Sequence, residues 1–235
     1  MIIAIDASGL AGSVSVIKDE LILGEYYICN ELTHAQTIMP MLEDLKRILN
    51  LNLGEVEAIA VTSGPGSFTG LRIGATTAKA LALALDIPII GVSTLDVLAN
   101  GVPFTDYLIC PIMDARRNQV YTTLYEWNKT TLERLIEYTV IDIDKIIEII
   151  EEFEMNVIFI GDGVDVYKSH IKNVLKDSAK FMPSFLKMQH SSVLAYLANK
   201  LYKEGKVSDA DSFIPSYIRK SQAERELDER ENKVR

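Results

Sequence analysis

Residues 2–7, 13–17 and 21–29 are runs rich in Ile, Val, Leu and Tyr, separated by turns that carry glycine or charge. This pattern predicts three consecutive strands in an antiparallel meander. The period then changes: Ile38, Met41, Leu42, Leu45, Ile48 and Leu49 recur at helical spacing behind Thr33 and Gln36, which are placed as a capping box. Pro40 lies too deep for a first-turn position, so either the helix begins after Thr33 or its first turns bend there. Beyond a connection at 51–57, the pattern predicts a short strand at 58–62, a tight loop at 63–68, a nearly uncharged helix at 69–85 and a strand at 88–92. A similar order begins again at Tyr107, with strands near 107–113, 118–126 and 135–141, a helix over 143–153, a strand at 157–160 and a helix near 164–175. Residues 94–101 link the halves. A helix over 191–204, amphipathic through Leu194, Leu197, Ala198 and Leu201, and a strand-like 213–218 follow.

Two successive β-β-β-α-β-α units, the second reduced, define an α/β chain. The order resembles the actin, hexokinase and Hsp70 (ASKHA) architecture, in which two related domains face each other across a cleft; fold alone licenses no chemistry. The expected domains are 1–103 and 104–221, the last helix and strand packing back on the first. Residues 222–235 form a tail of mixed charge without an apolar stripe, expected to be frayed or disordered. The 48% apolar and 24% charged composition is that of a globular protein. No apolar run reaches the roughly 18 residues needed to cross a bilayer, and the N-terminus lacks a secretory signal, so the cytoplasm is the expected compartment. Cys29 and Cys110 are isolated in apolar stretches and read as buried reduced thiols. A net charge of −9 opposes freestanding nucleic-acid binding. Arg116 and Arg117 form the only arginine pair, read as a solvated turn or a contact to an anion or acidic partner.

The stretch "SGPGSFTGLRIG" at 63–74 carries the densest chemistry. It fails the P-loop pattern, having no lysine after Thr69, and meets the dinucleotide fingerprint poorly, because Gly70 falls one place late. What remains is a glycine turn at a helix start, which either favours an anion through its backbone N–H groups or simply makes a sharp turn with Thr69 as the cap. Asp6 and Ser8 sit where actin-like kinases place a phosphate hairpin, and with Gly64, Gly66 and Ser67 they are the candidates for a weak anion or nucleotide contact. The turn Gly161-Asp162-Gly163 lies where such folds often meet a nucleotide, though short Gly-Asp-Gly turns are common. Along the following helix Gly70, Gly74, Ala78 and Ala82 repeat every fourth residue, a stripe that either packs on the protein's own sheet or meets a partner.

"SGPGSFTGLRIG", with "IIAIDAS" (2–8), "THAQTIMPML" (33–42), "DARRNQVYTTLY" (114–125) and "PSYIRKSQAER" (215–225), resembles the bacterial TsaB (YeaZ) family of tRNA threonylcarbamoyladenosine biosynthesis proteins. The resemblance implies a two-domain actin-like fold and a helical face that forms a homodimer or pairs with the catalytic paralogue TsaD. The ATPase TsaE works beside them. The implied role is a scaffold without catalysis, with ATP and metal in the partner subunits and tRNA met only through the complex. The partner face is expected to use Gly70, Leu71, Arg72, Ile73, Gly74, Thr77, Ala78 and Leu81. The paralogue carries a metal-binding His-x-x-x-His, but here His34 is followed four residues later by Ile38, and His170 and His190 lie in no ligand pattern. The alternative is an actin-like small-molecule kinase using Asp6; a metallopeptidase is opposed by the missing histidine pair.

Overall fold

The computed structural model describes residues 1–30 and 32–216. In the first lobe, β1 (Ile2–Asp6), β2 (Gly12–Lys18) and β3 (Leu21–Ile28) form the antiparallel meander, followed by α1 (His34–Ile48), β4 (Ala58–Gly64), α2 (Phe68–Leu85) and β5 (Ile89–Ser93). The sheet order is β3-β2-β1-β4-β5, with β1, β4 and β5 parallel. Alternation along β1 sends Ile3 and Ile5 to one face, where Met41, Leu45, Ala78 and Ala82 from α1 and α2 cover them. Ile2 and Ala4 point to the other face, under Leu194, Ala195 and Ala198 of α6 (Ser191–Lys203). The last helix thus returns to the first sheet.

After α3 (Thr94–Asn100) the second lobe comprises β6 (Leu108–Asp114), β7 (Gln119–Thr122), β8 (Tyr125–Asn128), β9 (Thr131–Arg134), β10 (Thr139–Asp142), α4 (Ile143–Glu152), β11 (Val157–Ile160), α5 (Gly163–Leu175) and β12 (Ala179–Phe181). Its order, β10-β7-β6-β11-β12, repeats the first sheet position for position. The chain is a duplicated α/β fold, and its second core gathers Ile146 and Ile150 of α4 and Ile171 of α5 over Cys110, Ile112 and Phe159.

Several boundaries differ from the pattern of the sequence. The strand expected at 118–126 is two strands: β7 pairs Thr122 with Ile112, β8 pairs Tyr125 with Ile109, and Pro111 lies opposite the break. A proline lacks the amide that a continuous ladder needs, and the Pro111 carbonyl instead accepts from Thr122 Oγ1 at 2.8 Å. Extra strands β9 and β12 appear, the expected 135–141 strand narrows to β10, and the link at 94–101 is a helix. α1 starts at His34 with Pro40 inside it, and the Gln36 side chain accepts the Thr33 N–H at 3.1 Å. Residues 213–216 form no strand; 217–218 and the tail at 222–235 lie outside the described residues. Cys110 is buried as expected, whereas Cys29 is exposed, because it lies just past the end of the edge strand β3.

Candidate functional site

Asp6 ends β1 and is completely buried. Its Oδ1 accepts from Ser8 N at 2.8 Å, Ser8 Oγ at 2.7 Å and Thr62 Oγ1 at 2.8 Å, while Gln189 Nε2 donates to Ser8 Oγ at 3.1 Å. Burial pushes the Asp6 carboxyl above its ordinary range, against the lowering effect of the Ser8 and Thr62 bonds. Its Oδ2 meets no partner among the described residues. The second lobe repeats the device: Asp114 ends β6 and its Oδ1 accepts the Arg116 N–H at 2.9 Å, again two residues on.

The glycines are explained by the same turns. A side chain on Gly66 would place Cβ 2.3 Å from the Ser8 carbonyl oxygen, and one on Gly70 would lie 2.0 Å from that of Ala7. Ser67 N–H donates to Ser8 O at 2.7 Å. In the second lobe a Cβ on Gly161 would meet Ile112 O at 2.3 Å. Gly64 and Gly161 hold φ of 115° and 109°, values that favour glycine. The loop after β4 in the first lobe and after β11 in the second is therefore pressed against backbone toward the C-terminal end of the lobe's first strand, and glycine is what fits. Ser67, one residue before the helix, is the N-cap, its Oγ accepting Gly70 N–H at 3.3 Å; Thr69, expected as the cap, lies inside α2.

Between the lobes runs a cleft of about 580 Å³. One wall is Ser8, Gly66, Ser67 and the first turn of α2; the other is Met113, Asp114, Arg116, Tyr121 and Asp162. Of the residues expected to meet an anion, the fold brings Ser8, Gly66 and Ser67 to the cleft, seals Asp6 beneath them, and turns Gly64 toward Leu71 and the Ser216 backbone. Asp162 Oδ1 accepts Asp114 N–H at 3.0 Å, and burial holds its carboxyl above the ordinary range despite that bond, with Asp114 adding repulsion. Arg116 Nη1 pairs with Asp114 Oδ2 at 3.2 Å, its side chain pointing to solvent. A phosphate against the first wall would face the carboxylates of Asp114 and Asp162 on the other, a like-charge arrangement that opposes a polyphosphate. Met113, Tyr121 and Gln189 escaped the sequence reading; the signal that could have found the first two was the duplication, which puts the end of β6 opposite the end of β1.

On α2 the small-residue stripe is settled by burial. Gly70, Leu71, Gly74, Ala75, Ala78 and Ala82 are buried within the monomer, and a Cβ on Gly74 would lie 3.5 Å from Val61 and 3.6 Å from Ala7. Gly70, Leu71, Gly74 and Ala78, expected at a partner face, are thus core residues: the uncovered surface belongs to the opposite side of the helix. That side carries Thr69, Arg72, Thr76, Ala80 and Leu83, the last 54% exposed, with Ile73, Thr77 and Leu81 partly covered at its margin. Arg72 lies over the Phe68 ring at 4.0 Å.

The family model for TsaD, tRNA N6-adenosine threonylcarbamoyltransferase, matches residues 30–227. The tRNA threonylcarbamoyladenosine biosynthesis protein TsaB of Bacillus subtilis is 34% identical over 95% of this chain and 96% of its own length. The chain belongs to the TsaB (YeaZ) family. TsaB of Escherichia coli is 28% identical over 96% of this chain and 97% of its own. A Pseudomonas aeruginosa protein described as similar to peptidase YEAZ superposes with a TM-score of 0.81 at 27% identity, covering 93% of this chain and 99% of that one. YeaZ from Pseudomonas aeruginosa gives 0.75 at 26% identity, covering 92% and 98%. The duplicated α/β topology described above is therefore shared with these YeaZ structures.

Within this TsaB-family chain the three histidines stand apart. His34 Nε2 lies 2.8 Å from Gly9 O, His170 Nε2 pairs with Asp144, and His190 Nδ1 lies 3.4 Å from Glu25 Oε2. Ile38, one helical turn beyond His34, is buried in the first core. Among the described residues no three His, Cys, Asp or Glu side chains are grouped to hold a metal, and no helix is long and apolar enough to cross a membrane.

Proposed function

We propose that this chain is the scaffold subunit in formation of N6-threonylcarbamoyladenosine on tRNA, pairing with the transferase paralogue TsaD and working with the ATPase TsaE. The observation that carries the reading is whole-length similarity to proteins named for this biosynthesis. The non-catalytic part rests on Ile38, a buried apolar residue one helical turn from His34 where a metal-binding pair would need its second histidine. The partner seat is the outer face of α2, centred on Arg72, Thr76, Ala80 and Leu83 with Ile73, Thr77 and Leu81 at its edge. In isolation the same face supports a homodimer. ATP and metal belong to the partner subunits, tRNA is met through the assembled complex, consistent with the net charge of −9, and the compartment is the cytoplasm.

The test is reconstitution from purified components. TsaD, TsaE, this chain, threonylcarbamoyl adenylate and an unmodified tRNA reading codons that begin with A are combined, and the modified nucleoside is measured by mass spectrometry. The expected result is modification that depends on the chain, with none from the chain alone. Modification by the chain alone, or an undiminished rate without it, contradicts the proposal. The cleft gives the kinase alternative its own check: calorimetric titration with ATP and Mg²⁺ is expected to show no binding to the isolated chain.

A further inference from the structure

The short helix α3 belongs to both cores. Val97 packs with Ile90 and Val92 of the first sheet, whereas Leu95, Leu98 and Ala99 pack with Ile109, Met113 and Ile160 of the second. A connector buried on two sides in this way cannot tilt toward one lobe without opening a gap against the other. Polar bonds lie beside the apolar ones. Asp96, in the first turn of α3, accepts from Tyr125 Oη through Oδ1 and from Tyr138 Oη through Oδ2 at 2.7 Å. One tyrosine stands on β8 and the other just before β10, so a single carboxylate gathers two separate segments of the second lobe. Arg134 lies over the Tyr138 ring at 4.1 Å, and Trp127 Nε1 donates to Val102 O at 2.9 Å just beyond the helix. Hydrogen bonds to an ionised acceptor are roughly twice as strong as neutral ones.

We infer that α3, with Asp96 clamped by Tyr125 and Tyr138, is an interlobe lock that holds the cleft at one opening. Two-lobed proteins that close on ligands do so through a few connecting residues that absorb large backbone changes. The chain crosses between the lobes twice, through α3 and again at 182–190 between β12 and α6, and the α3 crossing is helical, buried and tied at its first turn and at its end. The consequence is a platform of fixed shape: the wall that holds Ser8 and Ser67 keeps its distance from the wall that holds Asp114 and Asp162. This inference stands on α3 and its contacts, independent of the proposed function.

The experiment measures the distance between the lobes. With Cys29→Ser as background, spin labels are placed through Lys46→Cys on α1 and Glu148→Cys on α4, both exposed, and pulsed dipolar spectroscopy reads the distance distribution. Diluted with excess unlabelled chain, so that a homodimer carries at most one labelled subunit, the otherwise unaltered chain is expected to give one narrow peak. Asp96→Ala, which removes both tyrosine bonds, is expected to give a distribution roughly twofold broader, and Tyr138→Phe an intermediate one. Should Asp96→Ala fail to fold, Tyr138→Phe carries the test, since it removes one hydroxyl and leaves the ring and its cation contact. A broad or two-peaked distribution in the background chain, or an unchanged narrow peak in the folded variants, overturns the inference.

Discussion

The stripe on α2 yields a prediction in which one substitution has opposite signs four residues apart. In Gly70→Ala the new Cβ would stand 2.0 Å from the Ala7 carbonyl oxygen, a backbone atom at the β1–β2 turn. Such contacts do not occur below 3.0 Å, so helix and turn must separate by about 1 Å. Forced overpacking of this kind costs about 1–3 kcal/mol. The same separation strains the Ser67 N–H bond to Ser8 O, which contributes about 1 kcal/mol. Alanine returns about 1 kcal/mol of helix propensity, leaving a net loss of about 1–3 kcal/mol. Gly74→Ala meets only ordinary contacts, at 3.5 and 3.6 Å, so the propensity gain stands nearly alone and the variant should be more stable by about 0.5–1 kcal/mol. Urea unfolding followed by far-ultraviolet circular dichroism reads both. In a chain of this size each kcal/mol moves the melting temperature by about 2–4 °C. The reasoning fails if Gly70→Ala is as stable as the parent, or if Gly74→Ala loses as much as Gly70→Ala.

Further outcomes follow from the polar sites. Glu25 accepts from Ser191 Oγ, Ser192 N and Ser192 Oγ at 3.1, 2.8 and 3.0 Å at the start of α6; burial alone would raise its carboxyl, but His190 and Ser192 hold it lowered. His190 is raised chiefly by its bond to Glu25, against burial. A lowered glutamate loses its contribution as pH falls through its folded value, and a raised histidine loses its own as pH rises through its folded value. The pair's contribution is therefore complete between about pH 4.3 and 6.5, the ordinary values of the two side chains, and is lost on either side; urea midpoints should fall less steeply below and above that window in Glu25→Gln than in the parent, and a profile parallel to the parent's would refute the assignment. A thiol reagent should modify Cys29 rapidly in the native chain and Cys110 only on unfolding, since burial pushes the Cys110 thiol up to about 12; equal rates would contradict the placement.

Much of the architecture was legible because burial imposes period. α1 shows it plainly, as do Ile146, Ile147 and Ile150 on α4, while β1, buried on both faces, reads as an unbroken apolar run; the duplicated order was readable without residue identity between the halves. What the sequence withheld was contact. A stripe of Gly70, Gly74, Ala78 and Ala82 says that something comes close, not what does; the answer at Gly70 is the Ala7 carbonyl, some sixty residues earlier, and at Gly74 the Val61 and Ala7 side chains. Pro111 splits a strand by removing a ladder donor from its neighbour, an effect felt across the sheet rather than along the chain. Thr94–Asn100 carries apolar residues on two sides because it serves two cores, so it gave no single amphipathic face. Asp114 and Asp162 came together only through the parallel pairing of β6 with β11.

The inner face of α2 closes the monomer, and its outer face is the proposed seat of the transferase paralogue. Sedimentation velocity of an equimolar mixture with that paralogue tests it most directly, comparing the parent chain with Ala80→Arg, which alters the exposed face, and Gly74→Ala, which alters the buried one. The account predicts a one-to-one complex with the parent and with Gly74→Ala, and two separate species with a folded Ala80→Arg. A complex that survives Ala80→Arg, or is lost only in Gly74→Ala, would contradict it.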